Sequence, residues 1–111
     1  MVKQKQANTI RIIGGQWRGR KIPVLDMPGL RPTPNRIRET LFNWLTPSIK
    51  GAHCLDCFAG SGALGLEALS RGAASVYFLD QSKQAIQQIQ KNLQLLNADN
   101  GFCKIAAIPQ L

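Results

Sequence analysis

From Ala52 onward, short apolar runs alternate with helical repeats, and that alternation restricts the fold more than any other feature of the sequence. Ala52–Phe58 is a mostly apolar run that enters the glycine turn Ala59-Gly60-Ser61-Gly62. Ala63–Ser70 reads as a helix stopped by Arg71-Gly72, since glycine tolerates the left-handed backbone that follows a C-cap. Ser75–Leu79 is a second apolar run, closing on Asp80. Ser82 can cap a helix over Lys83–Leu96, with Ile86, Ile89 and Leu93 on one face and glutamines on the other. Phe102–Ala107 forms a third run. Strand, helix, strand, helix, strand is the order of a parallel sheet of buried strands with right-handed crossovers. The fold class is therefore α/β, a Rossmann-like parallel sheet. Such sheets usually run on for several more units. The reading expects an incomplete sheet, with an exposed edge and helix face that favour self-association and poor solubility.

Upstream of this region, Thr9–Ile13 alternates polar and β-branched residues, Gly14-Gly15 offers a turn, and Arg18–Val24 resumes an extended pattern. This predicts a β-hairpin with a tight glycine turn. The Pro- and Gly-rich stretch from Pro23 to Pro34 reads as an irregular linker. An entry helix then starts with Thr33 as cap and Pro34 at the first helical position. Ile37, Leu41, Trp44 and Leu45 fall on one stripe expected to face the core, leaving Arg36 and Arg38 free beside it, and Pro47 is expected to end the helix. Two units result: a basic arm with hairpin and linker over residues 1–33, and the entry helix with the first part of the α/β region over residues 34–111.

Charge is distributed as unevenly as texture. The net charge is +8, and residues 1–38 hold nine Lys and Arg residues against the single Asp26. The remaining five basic residues are balanced by five acidic ones. A field concentrated at one end attracts a polyanion, and released counterions add to affinity. No stretch reaches the ~20 apolar residues of a membrane span, and no apolar signal segment opens the chain, so a cytoplasmic protein without membrane association is expected. Three cysteines do not form a disulfide framework. Cys54-Leu55-Asp56-Cys57 lies inside a predicted strand, where its two thiols point to opposite faces, and His53 adjoins Cys54, so neither a metal nor a redox site is expected.

Gly60-Ser61-Gly62-Ala63-Leu64-Gly65 fits the G-x-G-x-x-G pattern between a strand and a helix, and Asp80 lies twenty residues after Gly60. Gly60 suits the tight turn, Gly62 the close approach of a ligand, and Gly65 the packing of helix on sheet. Asp80 can accept hydrogen bonds from both hydroxyls of a ribose. A pyrophosphate would sit on the helix N-terminus, yet Asp56 stands four residues before Gly60 at the same mouth. A carboxylate there suits a cofactor with an ammonium and a sulfonium, S-adenosylmethionine, better than a dinucleotide.

Three motifs then carry a resemblance. Asp56-Cys57-Phe58-Ala59-Gly60-Ser61-Gly62, continued by Leu64-Gly65-Leu66-Glu67-Ala68-Leu69-Ser70-Arg71-Gly72-Ala73, resembles the first motif of the bacterial class I methyltransferases that modify the exocyclic N2 of a guanine in 16S ribosomal RNA. Arg11-Ile12-Ile13-Gly14-Gly15 with Trp17-Arg18-Gly19-Arg20 resembles that family's N-terminal hairpin, and Arg31-Pro32-Thr33 with Arg36–Leu45 its entry helix. The resemblance implies S-adenosylmethionine bound by Asp56, Phe58, Ala59, Gly60, Ser61, Gly62 and Asp80. It implies RNA contacts from Arg11, Trp17, Arg18, Arg20, Lys21, Arg31, Thr33, Arg36 and Arg38, with Trp17 either stacking on a base or packing in the core. The partner would be 16S ribosomal RNA or a small-subunit assembly intermediate. Relatives carry an Asp or Asn followed by two prolines and an aromatic residue after the fourth strand, and that catalytic motif does not occur in these 111 residues. The expectation is a chain that holds cofactor and RNA but is inactive alone. The alternatives are a non-catalytic RNA-binding module and a fragment of an NAD-dependent oxidoreductase.

Overall fold

The computed structural model describes residues 8–24, 35–57 and 59–107. Two strands come first, β1 (Asn8–Arg11) and β2 (Lys21–Val24), antiparallel with Arg11 opposite Lys21. Helix α1 (Asn35–Ile49) follows, then β3 (His53–Cys57), α2 (Ala63–Ser70), β4 (Ser75–Asp80), α3 (Lys83–Leu95) and β5 (Gly101–Ile105). The last three strands form a parallel sheet in the order β3-β4-β5. The predicted alternation is thus present, and two of its helix boundaries have a local cause. Ser82 caps α3 by accepting a hydrogen bond from the Ala85 amide at 3.2 Å, and Gly72, at φ 103°, ends α2.

Both crossover helices pack on one face of the sheet. Gly65 of α2 lies so close to Phe78 that a Cβ there would sit 2.2 Å from the ring, and Leu93 of α3 covers Gly101. Val76, Phe78, Leu66, Leu69, Ile86 and Ile89 are almost completely buried between these layers. The opposite face departs from the expectation of buried strands. Leu55, Tyr77 and Phe102 lie side by side across the sheet and are 63%, 50% and 44% exposed. The Tyr77 and Phe102 rings stack at 4.9 Å. Among the described residues no element covers this row.

The hairpin also differs from its prediction. Gly14-Gly15 does not make a two-residue turn. Pairing continues one step past the strands, with the Ile12 amide donating to the Arg20 carbonyl, and the chain between forms a longer loop. Gly15 has φ 82°, and a Cβ on it would fall 1.9 Å from the Ser70 carbonyl oxygen. The glycine is needed for contact with α2, not for a tight reversal. Left-handed strain costs an alanine roughly 1–2 kcal/mol and overpacking roughly 1–3 kcal/mol. Gly15→Ala is therefore expected to destabilise the chain by about 2–5 kcal/mol in urea unfolding. Gly19→Ala, with a similar φ of 84° but nothing within 4 Å, should lose only the strain.

Helix α1 presents a different face from the one expected. Arg38, Phe42 and Ile49 are buried, whereas Ile37, Trp44 and Leu45 are exposed, Trp44 by 79%. The stripe is turned because Arg38 enters the interior to meet α2. Pro47 does not end the helix, which continues to Ile49. A proline in the last turn removes only one intrahelical donor. The expected cap at Thr33, the first-turn Pro34 and most of the linker lie outside the described residues. Among those described, no helix is long and apolar enough to cross a membrane, and no three His, Cys, Asp or Glu side chains gather as metal ligands would.

Candidate functional site

Parallel strands deliver their C-terminal ends, and the turns that leave them, to one side of a sheet. Here that side carries Asp56 near the end of β3, the turn Ala59–Gly62, and Asp80 at the end of β4. The Ala59 amide donates to the Leu79 carbonyl at 2.9 Å, which holds the turn against β4. Gly60 and Gly62 adopt φ 57° and 81°. Gly62 also abuts α3, since a Cβ there would meet Ile89 at 2.9 Å. Packing against the neighbouring helix requires this glycine, beside any close approach of a ligand.

Asp80 is fixed by two backbone donors. One carboxylate oxygen accepts from Gly60 N at 2.9 Å and the other from Ser82 N at 2.8 Å. Each oxygen has a further lone pair for an outside donor. Asp56 accepts from Gly65 N at 3.2 Å. Its pKa is raised from 3.8 to about 6, chiefly by burial and further by the charge of Asp80, with the Gly65 hydrogen bond opposing. Two carboxylates therefore share one mouth, and no Lys, Arg or His among the described residues forms an ion pair with either.

Three of the donors at this helix end are already occupied. At the start of α2, the Gly65 amide serves Asp56, Ala63 N serves Ser61 Oγ at 3.2 Å, and Leu66 N serves the Gly62 carbonyl. With two carboxylates nearby, this helix end suits a cation-bearing ligand and disfavours a diphosphate.

The predicted basic residues separate into two groups. Arg11, Arg18, Arg20 and Lys21 on the hairpin are exposed, as is Arg36 at the start of α1. Arg38 is a correction: it is 0% exposed and cannot reach an RNA phosphate. Its Nη2 donates to the Arg11 carbonyl and to Asn35 Oδ1, and its Nε lies 3.6 Å from Glu67 Oε1. Burial lowers its pKa, while Glu67 raises it. Trp17, for which both stacking and packing stood open, is 9% exposed and belongs to the core. Phe58, Arg31 and Thr33 lie outside the described residues.

Glu67 is the residue that sequence reasoning missed. It is 1% exposed and accepts from the Ile13 and Gly14 amides at 3.0 and 2.9 Å and from Arg71 Nε at 2.8 Å. Ser70 completes the junction, accepting from the Trp17 amide at 3.0 Å and donating to the Gly14 carbonyl at 2.6 Å. The hairpin loop is thereby bound to the helix that begins at the glycine turn. A lone acid amid the apolar run Ala63–Leu69 is the one signal that could have shown it.

Known proteins resemble this chain in sequence and in fold. The chain is 67% identical over 91 residues to Ribosomal RNA small subunit methyltransferase D of Escherichia coli K12, covering 82% of this chain and 46% of that protein. The protein of the same name from Haemophilus influenzae is 58% identical over 82% of this chain and 47% of its own. Among solved structures, Escherichia coli yhhF superposes with a TM-score of 0.83 at 61% identity, covering 89% of this chain and 54% of that one. The chain thus spans about half the length of the curated relatives it matches. Its sheet and helices have the class I methyltransferase arrangement of these neighbours. The family described as Conserved hypothetical protein 95 matches residues 10–109, and the chain belongs to that family.

Proposed function

We propose that the chain is the cofactor-binding and RNA-binding half of an S-adenosylmethionine-dependent methyltransferase acting on the N2 of a guanine in 16S ribosomal RNA. The observation that carries the reading is the pair of carboxylates, Asp56 and Asp80, converging on a glycine turn where the Gly60, Gly62 and Ala63 amides are already occupied. Asp56 with the Ala59–Gly62 turn and Phe58 would hold the methionine end, and Asp80 the ribose. Bound there, S-adenosylmethionine supplies a methyl group activated on a sulfonium. The chain's own part is to bind and orient, because positioning contributes most to an in-line transfer of this kind. The arm over residues 1–33 would take RNA, and residues 34–111 the cofactor. The names of the relatives support ribosomal RNA as substrate, and the motif resemblance supports the guanine N2. Catalysis in this reading needs the half of the relatives' length that this chain does not span.

Calorimetric titration with S-adenosylhomocysteine, with NAD as the parallel ligand, tests the cofactor. The ligand's ammonium is drawn to ionised Asp56, so affinity should fall about tenfold per unit as pH drops below about 6. Above that pH it should level off. Asp56→Asn should weaken binding and flatten the pH profile. The same substitution should stabilise the chain near pH 7. A carboxyl with a raised pKa contributes stability below its ordinary 3.8, and loses it as pH rises through about 6. The expected gain is about 1–3 kcal/mol. Weaker binding by a more stable protein cannot be misfolding. Binding of NAD alone, or no binding of S-adenosylhomocysteine by the folded chain, would overturn the cofactor assignment.

A further inference from the structure

Between the hairpin loop and the first turn of α1 lies a cavity of about 350 Å³, lined by Arg11, Arg18, Arg36, Asn35 and Glu39 and by the backbone at Gly19. We propose that this cavity is a subsite for a single nucleotide of single-stranded RNA, flanking the nucleotide presented to the cofactor. The proposal rests on the RNA reading above and assigns it a place.

Arg38 frames the site. Its Nη2 bonds the Arg11 carbonyl on the hairpin wall and Asn35 Oδ1 on the helix wall. One buried guanidinium, balanced by Glu67, fixes the spacing of the two walls. The cavity is therefore built into the junction, not left between side chains that happen to meet.

Its charge pattern selects the ligand. Three exposed guanidiniums offer planar forks suited to phosphate oxygens, while Glu39 faces the same space with an acceptor-only group. A bare anion would sit on the arginines and leave that carboxylate without a donor. A nucleotide resolves the conflict by setting its phosphate on the arginines and a donor, a base amino group or the ribose 2′-hydroxyl, on Glu39. The volume lies near the lower end of the roughly 300–1,000 Å³ range of small-ligand sites, so one nucleotide fits and a duplex does not.

Position separates this subsite from the reacting base. The hairpin loop is anchored at Glu67 and Ser70, in the second half of α2, whereas the glycine turn opens the first. A helix of this length spans about 12 Å.

Fluorescence anisotropy of the 111-residue chain with labelled eight-nucleotide RNAs of mixed sequence, and their DNA counterparts, tests the proposal across a salt series. Arg18→Ala and Arg36→Ala should each weaken RNA binding 3- to 10-fold and lower the salt slope by about one phosphate. Lys91→Ala, on the exposed side of α3, should change little. Glu39→Gln should leave the salt slope intact and reduce discrimination among bases, or between RNA and DNA, at least threefold. If Glu39→Gln instead strengthens all oligomers equally, the carboxylate is only a repulsive surface charge and the subsite is wrong. If the arginine variants bind as the parent does, the subsite falls and the RNA reading stands. If the parent chain binds neither nucleic acid, the RNA reading falls with it. Thermal melts of each variant confirm that the fold is retained.

Discussion

Glu67→Ala should lower the unfolding free energy by about 3–5 kcal/mol, as read from the urea midpoint at pH 7. The carboxylate lies at the centre of a buried junction. Removing it leaves Arg38 fully buried with no counter-charge among the described residues, and takes the acceptor from the Ile13 and Gly14 amides. Arg71 loses its 2.8 Å partner as well, although its guanidinium keeps a place over the Phe42 ring, 5.4 Å from the centroid. Domains of this size are stable by roughly 5–15 kcal/mol in total, so the variant should be near the limit of folding. Glu67→Gln keeps an acceptor for one amide while losing the charge, and should fall between alanine and the parent. A loss below about 1 kcal/mol for alanine would show that water can replace the carboxylate, and the junction would then not be the anchor of the hairpin.

Asp80→Ala should reduce affinity for S-adenosylhomocysteine by about two orders of magnitude while leaving RNA binding within about twofold. Two effects combine. A ribose would lose a charged acceptor, worth roughly 1.5–3 kcal/mol per hydrogen bond. The Gly60 amide would also lose its partner at 2.9 Å, so the turn itself would be less well held. Calorimetry for the cofactor and anisotropy for RNA separate the outcomes. A variant that binds the cofactor as tightly as the parent removes Asp80 from the site. A variant that loses both ligands, with a lowered melting temperature, would show a structural role for Asp80 in place of a binding one.

The legible parts of this fold are those specified by neighbours in sequence. Ser82 caps α3 three residues ahead of the amide it accepts, and Ile86, Ile89 and Leu93 repeat at helical spacing along that same element. Gly65 beside Phe78 follows from a strand–turn–helix unit whose parts are close in the chain. The misread parts depend on partners far away. In α1, the stripe through Ile37, Leu41 and Trp44 and the stripe through Arg38 and Phe42 differ by about 100° of helix rotation, and only a carboxylate on another helix decides between them. Gly14-Gly15 has the composition of a tight turn, and nothing local reveals that Ser70 lies against it. The exposure of Leu55, Tyr77 and Phe102 was illegible for a different reason: a continuous apolar strand reads the same whether one or both faces are covered. At the candidate site, the glycine spacing and the two acids were readable because the pattern is confined to one βαβ unit. The buried state of Arg38 and the role of Glu67 were not, because charged residues are rarely placed inside without a partner that the local sequence does not name.

The junction between hairpin and α2 also sets an order of events during synthesis. Ile13 and Gly14 reach Glu67 across 54 and 53 residues, and the Pro23 carbonyl reaches Asn92 Nδ2 across 69. Closing such long loops carries an entropic cost before any contact repays it. The hairpin can therefore be seated on these partners only once α2 and then α3 have been made. Its lasting position thus depends on residues made more than fifty codons later.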